Sequence, residues 1–472
     1  MTRSNNTSKT RKLLVVRLSP IVPFLVLALL PGCTGRPIPS ERAARSNLAT
    51  VSSRYRSGDA KPELPVLTNE SKIDDYLRFA MLNSPRVEAG YYEWAAAVEQ
   101  TTTARSRPDP RLTFKADIAS MVISAMAGLM VDLPGPGKLR AAANAAAAES
   151  QERYFALEME VLRTAFAVKS AYYRLQSLED NIRVQRETLE LLGDLEQLAR
   201  QQNAAGRATI QDVLRALIEQ EQLKTQIENL EDSRGTLLAE LKAALGLGTD
   251  EADPPVPAEF TSSGETPDRE KILQIALQRN PAIQQMAADV KRAQAMLDLA
   301  RKAGVPDFSV GIEADLTASP TMWKPSASVT LPIRRDKIAA QIAAAQAGKH
   351  AAEARLSSEQ VQLAAELAAM LYMYRENVRN MELLEGRLIP KGRQSLEAAR
   401  TGYANGKSGF LDVIDGYGQL LGFDLALIEA RTQKELALAS LSLLIAGVPP
   451  QDSPTLAPAE RSDRANPKEV SK

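Results

Sequence analysis

The chain has 472 residues, with 58 basic and 58 acidic side chains, so its formal net charge is zero. That balance leaves no basic footprint for a nucleic acid partner. One Cys and one His exclude a disulfide framework, a four-cysteine zinc site, an iron–sulfur cluster and a poly-His metal centre, and 5% aromatic residues are too few for a large aromatic core or stacking surface.

The first 32 residues carry Arg3, Lys9, Arg11, Lys12 and Arg17 and no acid. Residues 18–30 are apolar. That run is too short to span a bilayer, which takes about 20 residues, and has the length of a signal-peptide core. It ends in Leu30-Pro31-Gly32-Cys33, which resembles a bacterial lipobox. The resemblance implies cleavage before Cys33, palmitoylation there, and a lipoprotein anchored in the outer membrane, since Thr34 rather than Asp follows. Residues 1–32 therefore read as a lipoprotein signal peptide and 33–70 as a tether rich in Pro and Ser. No later stretch reaches 18 apolar residues.

The rest of the chain is a tandem repeat of about 200 residues. Leu77–Ala80 and Pro85 match Leu273–Ala276 and Pro281, and Ala104-Arg105 and Pro110 match Ala300-Arg301 and Pro306. Further on, Leu133-Pro134 matches Leu331-Pro332, and Gly206, Asp212 and Val213 match Gly406, Asp412 and Val413. The repeats read as 71–249 and 267–448, with a linker at 250–266 and a disordered tail at 449–472.

Each repeat opens with a helix, 72–106 or 267–304, broken at Pro85 or Pro281. Two extended segments follow. Leu112, Phe114, Ala116 and Ile118 alternate with Thr113, Lys115 and Asp117; Val310, Ile312 and Ala314 alternate with Gly311 and Glu313; and Ala327, Val329 and Leu331 alternate with Ser328 and Thr330. Period two marks strands with one apolar face. Residues 120–133 are more continuously apolar, and Trp323 reads as part of a 317–325 hairpin loop. These strands suit a membrane barrel or a soluble hairpin capping a bundle. Four strands cannot close a barrel, so a membrane role needs several chains.

A very long helix follows in each repeat, 138–203 and 337–402. Val161, Val168, Leu175, Ile182 and Leu189 recur every seven residues, as do Leu367, Tyr374, Met381 and Leu388. Sustained heptads imply a left-handed coiled coil. At 1.5 Å per residue such a helix is about 100 Å long, which implies a tube or stalk rather than a globular core. Pro390 is expected to bend the second of these helices. Turns at 203–207 and 405–408 lead into the last helices, 208–247 and 409–447.

At the second turn runs Gly402-Tyr403-Ala404-Asn405-Gly406-Lys407-Ser408-Gly409-Phe410-Leu411-Asp412-Val413-Ile414-Asp415. With the duplication and the junction Leu133–Lys138, this run resembles the TolC-type outer-membrane efflux protein family. The resemblance covers about residues 70–447. It implies a mainly helical fold with a small β part, in which duplicated coiled-coil helices form an α-helical barrel and four strands contribute to a trimeric 12-stranded transmembrane β-barrel. It also implies a homotrimer in outer-membrane lipid with a periplasmic extension, docked on a periplasmic adaptor (a membrane fusion protein) and an inner-membrane pump.

Asp412 and Asp415 are three apart and so share a helix face. In a trimer they would form two rings of carboxylates favouring cations, at positions that by resemblance line the periplasmic aperture. Near a helix start such acids also complement the helix dipole. Asp212, Arg215, Tyr403 and Lys407 are the expected closing contacts of the tip, with Arg215 standing where the first repeat lacks the second Asp and pairing with a carboxylate across the tip. His350 reads as solvated. No metal site, cofactor site or nucleophile–base pair is recognisable, and Gly135–Lys138 lacks the spacing of a phosphate-binding loop. The expected function is a passive exit duct of open cargo; the alternative is a periplasmic coiled-coil scaffold or adaptor lipoprotein without a pore.

Overall fold

In the computed structural model, described for residues 37–57, 60–118, 122–256, 269–446 and 449–456, the duplication in the sequence is a duplication in space. Before it comes helix α1 (Pro39–Tyr55). The first repeat is α2 (Ile73–Asn83), α3 (Pro85–Arg105), β1 (Arg111–Ile118), β2 (Val122–Leu133), α4 (Lys138–Ala204) and α5 (Ile210–Leu245). The second is α6 (Arg269–Arg279), α7 (Pro281–Arg301), β3 (Asp307–Asp315), β4 (Met322–Thr330), α8 (Arg335–Leu383), α9 (Ile389–Ala404) and α10 (Phe410–Leu444).

Pro85 and Pro281 each open a new helix, where a missing N–H costs nothing. Asn280 caps α7, its Oδ1 accepting from Ala282 N at 2.8 Å, while its Nδ2 donates to Leu444 O at 2.8 Å. Asn83 donates likewise to Leu245 O and Gly246 O, at 3.2 and 3.0 Å. In both repeats an asparagine at the break thus ties the first helix pair to the end of the last helix.

The 67 residues of α4 make a rod of about 100 Å. Val161, Val168, Leu175 and Ile182 are buried on it as the heptad requires, and Leu189 packs at the core's edge. Leu367 and Tyr374 are buried in the second rod, with Met381 and Leu388 partly so. At Pro390 the second rod continues through a π-helical turn, Leu384–Leu388, into α9. Proline lacks the N–H for the i→i−4 bond and its ring would strike that carbonyl; a widened turn is the local adjustment.

The four strands form one antiparallel sheet in the order β1-β2-β3-β4. Residues 120–133, ambiguous in sequence, contain β2, because Met126, Gly128 and Met130 stand on its otherwise polar face and blur the alternation. Trp323 lies within β4 opposite Ala314, and not in the hairpin loop. In β4 the pairing extends four residues further toward the turn, to Met322, than the sequence indicates.

Two segments differ from expectation. The 33–70 stretch holds α1, which is docked by an apolar stripe, Val51 and Tyr55 being buried in the main core with Ala44 and Leu48 against it, and by polar contacts: Glu41, wholly buried, accepts from Arg105 Nε at 2.8 Å and Thr102 Oγ1 at 2.9 Å. At the other end, residues 449–456 are seated rather than loose. Asp452 pairs with Arg78 at 2.5 Å, and buried Leu456 donates its N–H to Tyr154 Oη at 3.0 Å. Cys33, the 257–266 part of the linker, residues 267–268 at the start of the second repeat and residues 457–472 lie outside the described residues.

Candidate functional site

The two ends of the long rods differ in chemistry. At one end is the sheet, and its register sorts the strands into two faces. One face carries Leu112, Phe114, Ala127, Leu129, Val131, Phe308, Val310, Ile312, Trp323 and Val329. Leu112 is 65% exposed and Phe114 74% exposed, uncovered by any described residue. The other face carries Thr113, Lys115, Ser309, Glu313, Lys324, Ser326 and Ser328, laced by ion pairs: Lys115–Glu313 at 2.5 Å, Arg111–Asp132 at 2.6 Å and Lys324–Asp315 at 3.2 Å. An apolar face turned outward and a charged face turned inward is the pattern of a strand wall between lipid and water. Among the described residues both edges, β1 and β4, are unpaired. Among them too, no helix is long and apolar enough to cross a membrane.

At the far end two helical hairpins meet. Their turns use one device placed twice. Gly206 and Gly406 adopt φ of 71° and 70°, a left-handed conformation that glycine enters without steric cost. Arg207 N bonds Gln202 O at 2.8 Å, and Lys407 N bonds Gly402 O at 2.7 Å. The next helix then opens with an aspartate at its third position: Thr209 N donates to Asp212 at 3.0 Å, and Gly409 N to Asp412 at 2.9 Å. The carboxylates satisfy helix N–H groups and complement the helix dipole.

The turns are joined by Gln202 Nε2 donating to Ala404 O at 3.3 Å and by an aromatic plug, Tyr403 edge-on to Phe410 with centroids 5.5 Å apart. Both rings are buried in the core that holds Val213 and Ala216 of α5. Burial and the nearby Asp212 charge push the Tyr403 phenol above its ordinary pKa, and its Oη has no partner among the described residues.

Of the residues expected at the tip, Tyr403 and Asp212 are therefore brought together. Asp412 and Asp415 are both exposed, but only Asp412 is engaged as a cap. Arg215 is half-buried and forms no ion pair with any described residue of this one copy; Lys407 is exposed at the turn. One residue escaped the sequence reading. Tyr417, seven residues after Phe410, is buried, its hydroxyl without a partner among the described residues, beside a groove of about 430 Å³ that Asp415, Glu219 and Gln222 also line. Its heptad spacing from Phe410 was the available signal.

The sequence profile of outer membrane efflux proteins matches residues 77–247 and 272–447, most of the chain and both repeats. The chain belongs to the outer membrane efflux protein family. Three solved channels share its fold: CusC (17% identity, TM-score 0.71, 82% of this chain and 98% of CusC), VceC of Vibrio cholerae (17%, 0.68, 79% and 96%) and MtrE of Neisseria gonorrhoeae in its open state (17%, 0.66, 82% and 97%). No curated protein sequence matches it. The expected architecture, an α-helical barrel of coiled coils continuing a β-barrel, is the fold of this outer-membrane efflux channel family.

Proposed function

We propose that three copies of the chain close a transmembrane barrel of twelve strands, and that the rods beneath it form a periplasmic tunnel through which cargo leaves passively. The observation that carries this reading is the sheet itself, whose lipid-like face is apolar from edge to edge while both edges are open. Unpaired strand edges cost several kcal/mol per unsatisfied group in hydrocarbon; pairing β4 of one copy with β1 of the next removes them. A soluble scaffold would leave Leu112, Phe114 and Trp323 in water.

The tip, about 100 Å from the sheet, is the part available to a periplasmic adaptor and an inner-membrane pump, which supply the energy. Exposed Asp415, one per copy, rings the narrow end and favours cations. Acylated Cys33 holds the chain to the membrane. Support for this last point is the Glu41–Arg105 contact, which fixes the start of α1 beside the end of α3, six residues before β1. Cys33 lies six positions before Pro39, the first residue of α1.

The test is reconstitution of the purified full chain in planar bilayers. Discrete ionic conductance is expected. An intact oligomer that never conducts would overturn the duct in favour of a scaffold.

A further inference from the structure

The two ends of the sheet carry different charge. The connections between the sheet and the rods, residues 106–110, 134–140, 302–306 and 331–337, hold seven cations. One of them, Lys138, is taken by Asp307 at 2.8 Å. The other six, Arg107, Arg140, Lys302, Arg334, Arg335 and Lys337, are exposed and form no ion pair with any described residue. Two acids, Asp109 and Asp336, stand in the same connections. The turns at the opposite end of the sheet, 119–121 and 316–321, contain no cation.

The excess of positive charge begins where the apolar face ends. Trp323, Ala327 and Val329 of β4 lie on that face. Beyond the last paired residue, Thr330, Leu331 and Ile333 keep the same two-residue spacing and are exposed at 63% and 77%. Arg334 and Arg335 follow at once, both exposed. The nine residues of β4 extend about 30 Å. Tilted as barrel strands are, they cover the roughly 25 Å apolar band of a membrane barrel. Arg334 and Arg335 then fall at the level of the lipid phosphates, on the leaflet that faces the rods. Guanidinium groups bind phosphate oxygens in a fixed fork geometry. Long cationic side chains at such an edge rest their stems on apolar surface and hold their charge among the headgroups.

Closure of the ring concentrates this charge. β4 runs toward the rods and β1 away from them, so pairing β4 of one copy with β1 of the next brings Arg334 and Arg335 level with Arg107 of that next copy. Asp109 and Asp336 are too few to balance them, and like charges gathered at one level repel. An anionic ligand relieves the repulsion.

We propose that the corner from Leu331 to Arg335, completed by Arg107 of the adjoining copy, binds an anionic phospholipid of the leaflet facing the rods. Its phosphate sits on the arginines and its acyl chains lie against Leu331 and Ile333. The inference rests on the multi-copy membrane reading above and adds a ligand to it.

Native mass spectrometry of the full chain in mild detergent tests it, with phosphatidylglycerol and phosphatidylcholine of identical acyl chains as probes. Phosphatidylglycerol should stay bound and phosphatidylcholine should not. Arg334→Gln/Arg335→Gln should weaken phosphatidylglycerol binding about 30-fold, since each cation beside an anionic lipid surface contributes about a factor of five. Arg207→Gln/Lys224→Gln, which removes two cations toward the tip, should change it little. The unsubstituted protein gives a second readout that needs no variant to assemble: added salt should release phosphatidylglycerol, because it screens the attraction. An intact oligomer that retains both lipids equally, or whose phosphatidylglycerol is untouched by Arg334→Gln/Arg335→Gln, overturns the lipid site and leaves the oligomer standing. Displacement by an equal concentration of free glycerol phosphate assigns the arginines to a soluble phosphate and overturns the lipid. A monomeric unsubstituted chain overturns the multi-copy reading, and the site with it.

Discussion

Lys115 of β1 meets Glu313 of β3 at 2.5 Å across the strand between them, and the side chain of Glu313 passes over Gly128 of β2. A Cβ at Gly128 would lie 2.5 Å from Glu313 Cγ and 2.8 Å from Thr113 Oγ1. The glycine is therefore a spatial requirement of the charged face. Gly128→Val should displace Glu313, break the bridge and destabilise the sheet by about 1–3 kcal/mol, the cost of an overpacked site. The check is the temperature at which the folded species is lost on a heat-modifiability gel, which should fall, whereas Ser328→Val on the same face should change it little.

The two aspartates at the tip separate by role. Asp412 accepts the N–H of Gly409, so Asp412→Ala loses a cap worth about 1 kcal/mol and should speed amide exchange in the first turn of α10. Asp415 holds no such bond among the described residues. Asp415→Asn should leave exchange unchanged and move the reversal potential of the channel toward zero in a salt gradient. Unaltered selectivity would remove Asp415 from the aperture.

Asp424 gives a dependence on pH. Burial above all raises its carboxyl pKa, Glu187 adds to this, and Arg393 and Arg183 oppose it. A carboxyl whose folded pKa is raised favours the fold while protonated, and that contribution is lost as pH climbs through the folded pKa. At neutral pH the ionised group is therefore a liability. Asp424→Asn should raise the unfolding temperature at pH 7, and the gain should vanish below the ordinary aspartate pKa of about 4. A gain that is constant with pH would contradict the assignment.

The C-terminal strap should be a stabilising element. Leu456→Ala removes a buried side chain that sits beside Tyr154, and should cost about 2 kcal/mol or more. Thermal unfolding of the full chain measures it.

Much of this molecule was legible because its signals are periodic and occur twice. Proline at 85 and 281, heptads from Val161 and Leu367, and glycine with aspartate at both tip turns each repeat one physical requirement at a fixed offset, and the structure follows them. What escaped gives a weaker signal. α1 docks through Ala44, Leu48, Val51 and Tyr55 as well as through buried Glu41 with its contacts to Arg105 and Thr102, and a single apolar stripe on a mostly polar helix without a repeat partner is easily passed over. β2 was blurred by Met126, Gly128 and Met130, whose reasons lie on neighbouring strands.

The most direct measurement is the native mass of the full chain extracted from membranes in mild detergent. The account predicts a stable assembly of three copies. A stably monomeric, folded protein would contradict it, because a lone sheet with two open edges and an uncovered apolar face could not then line a passage through lipid.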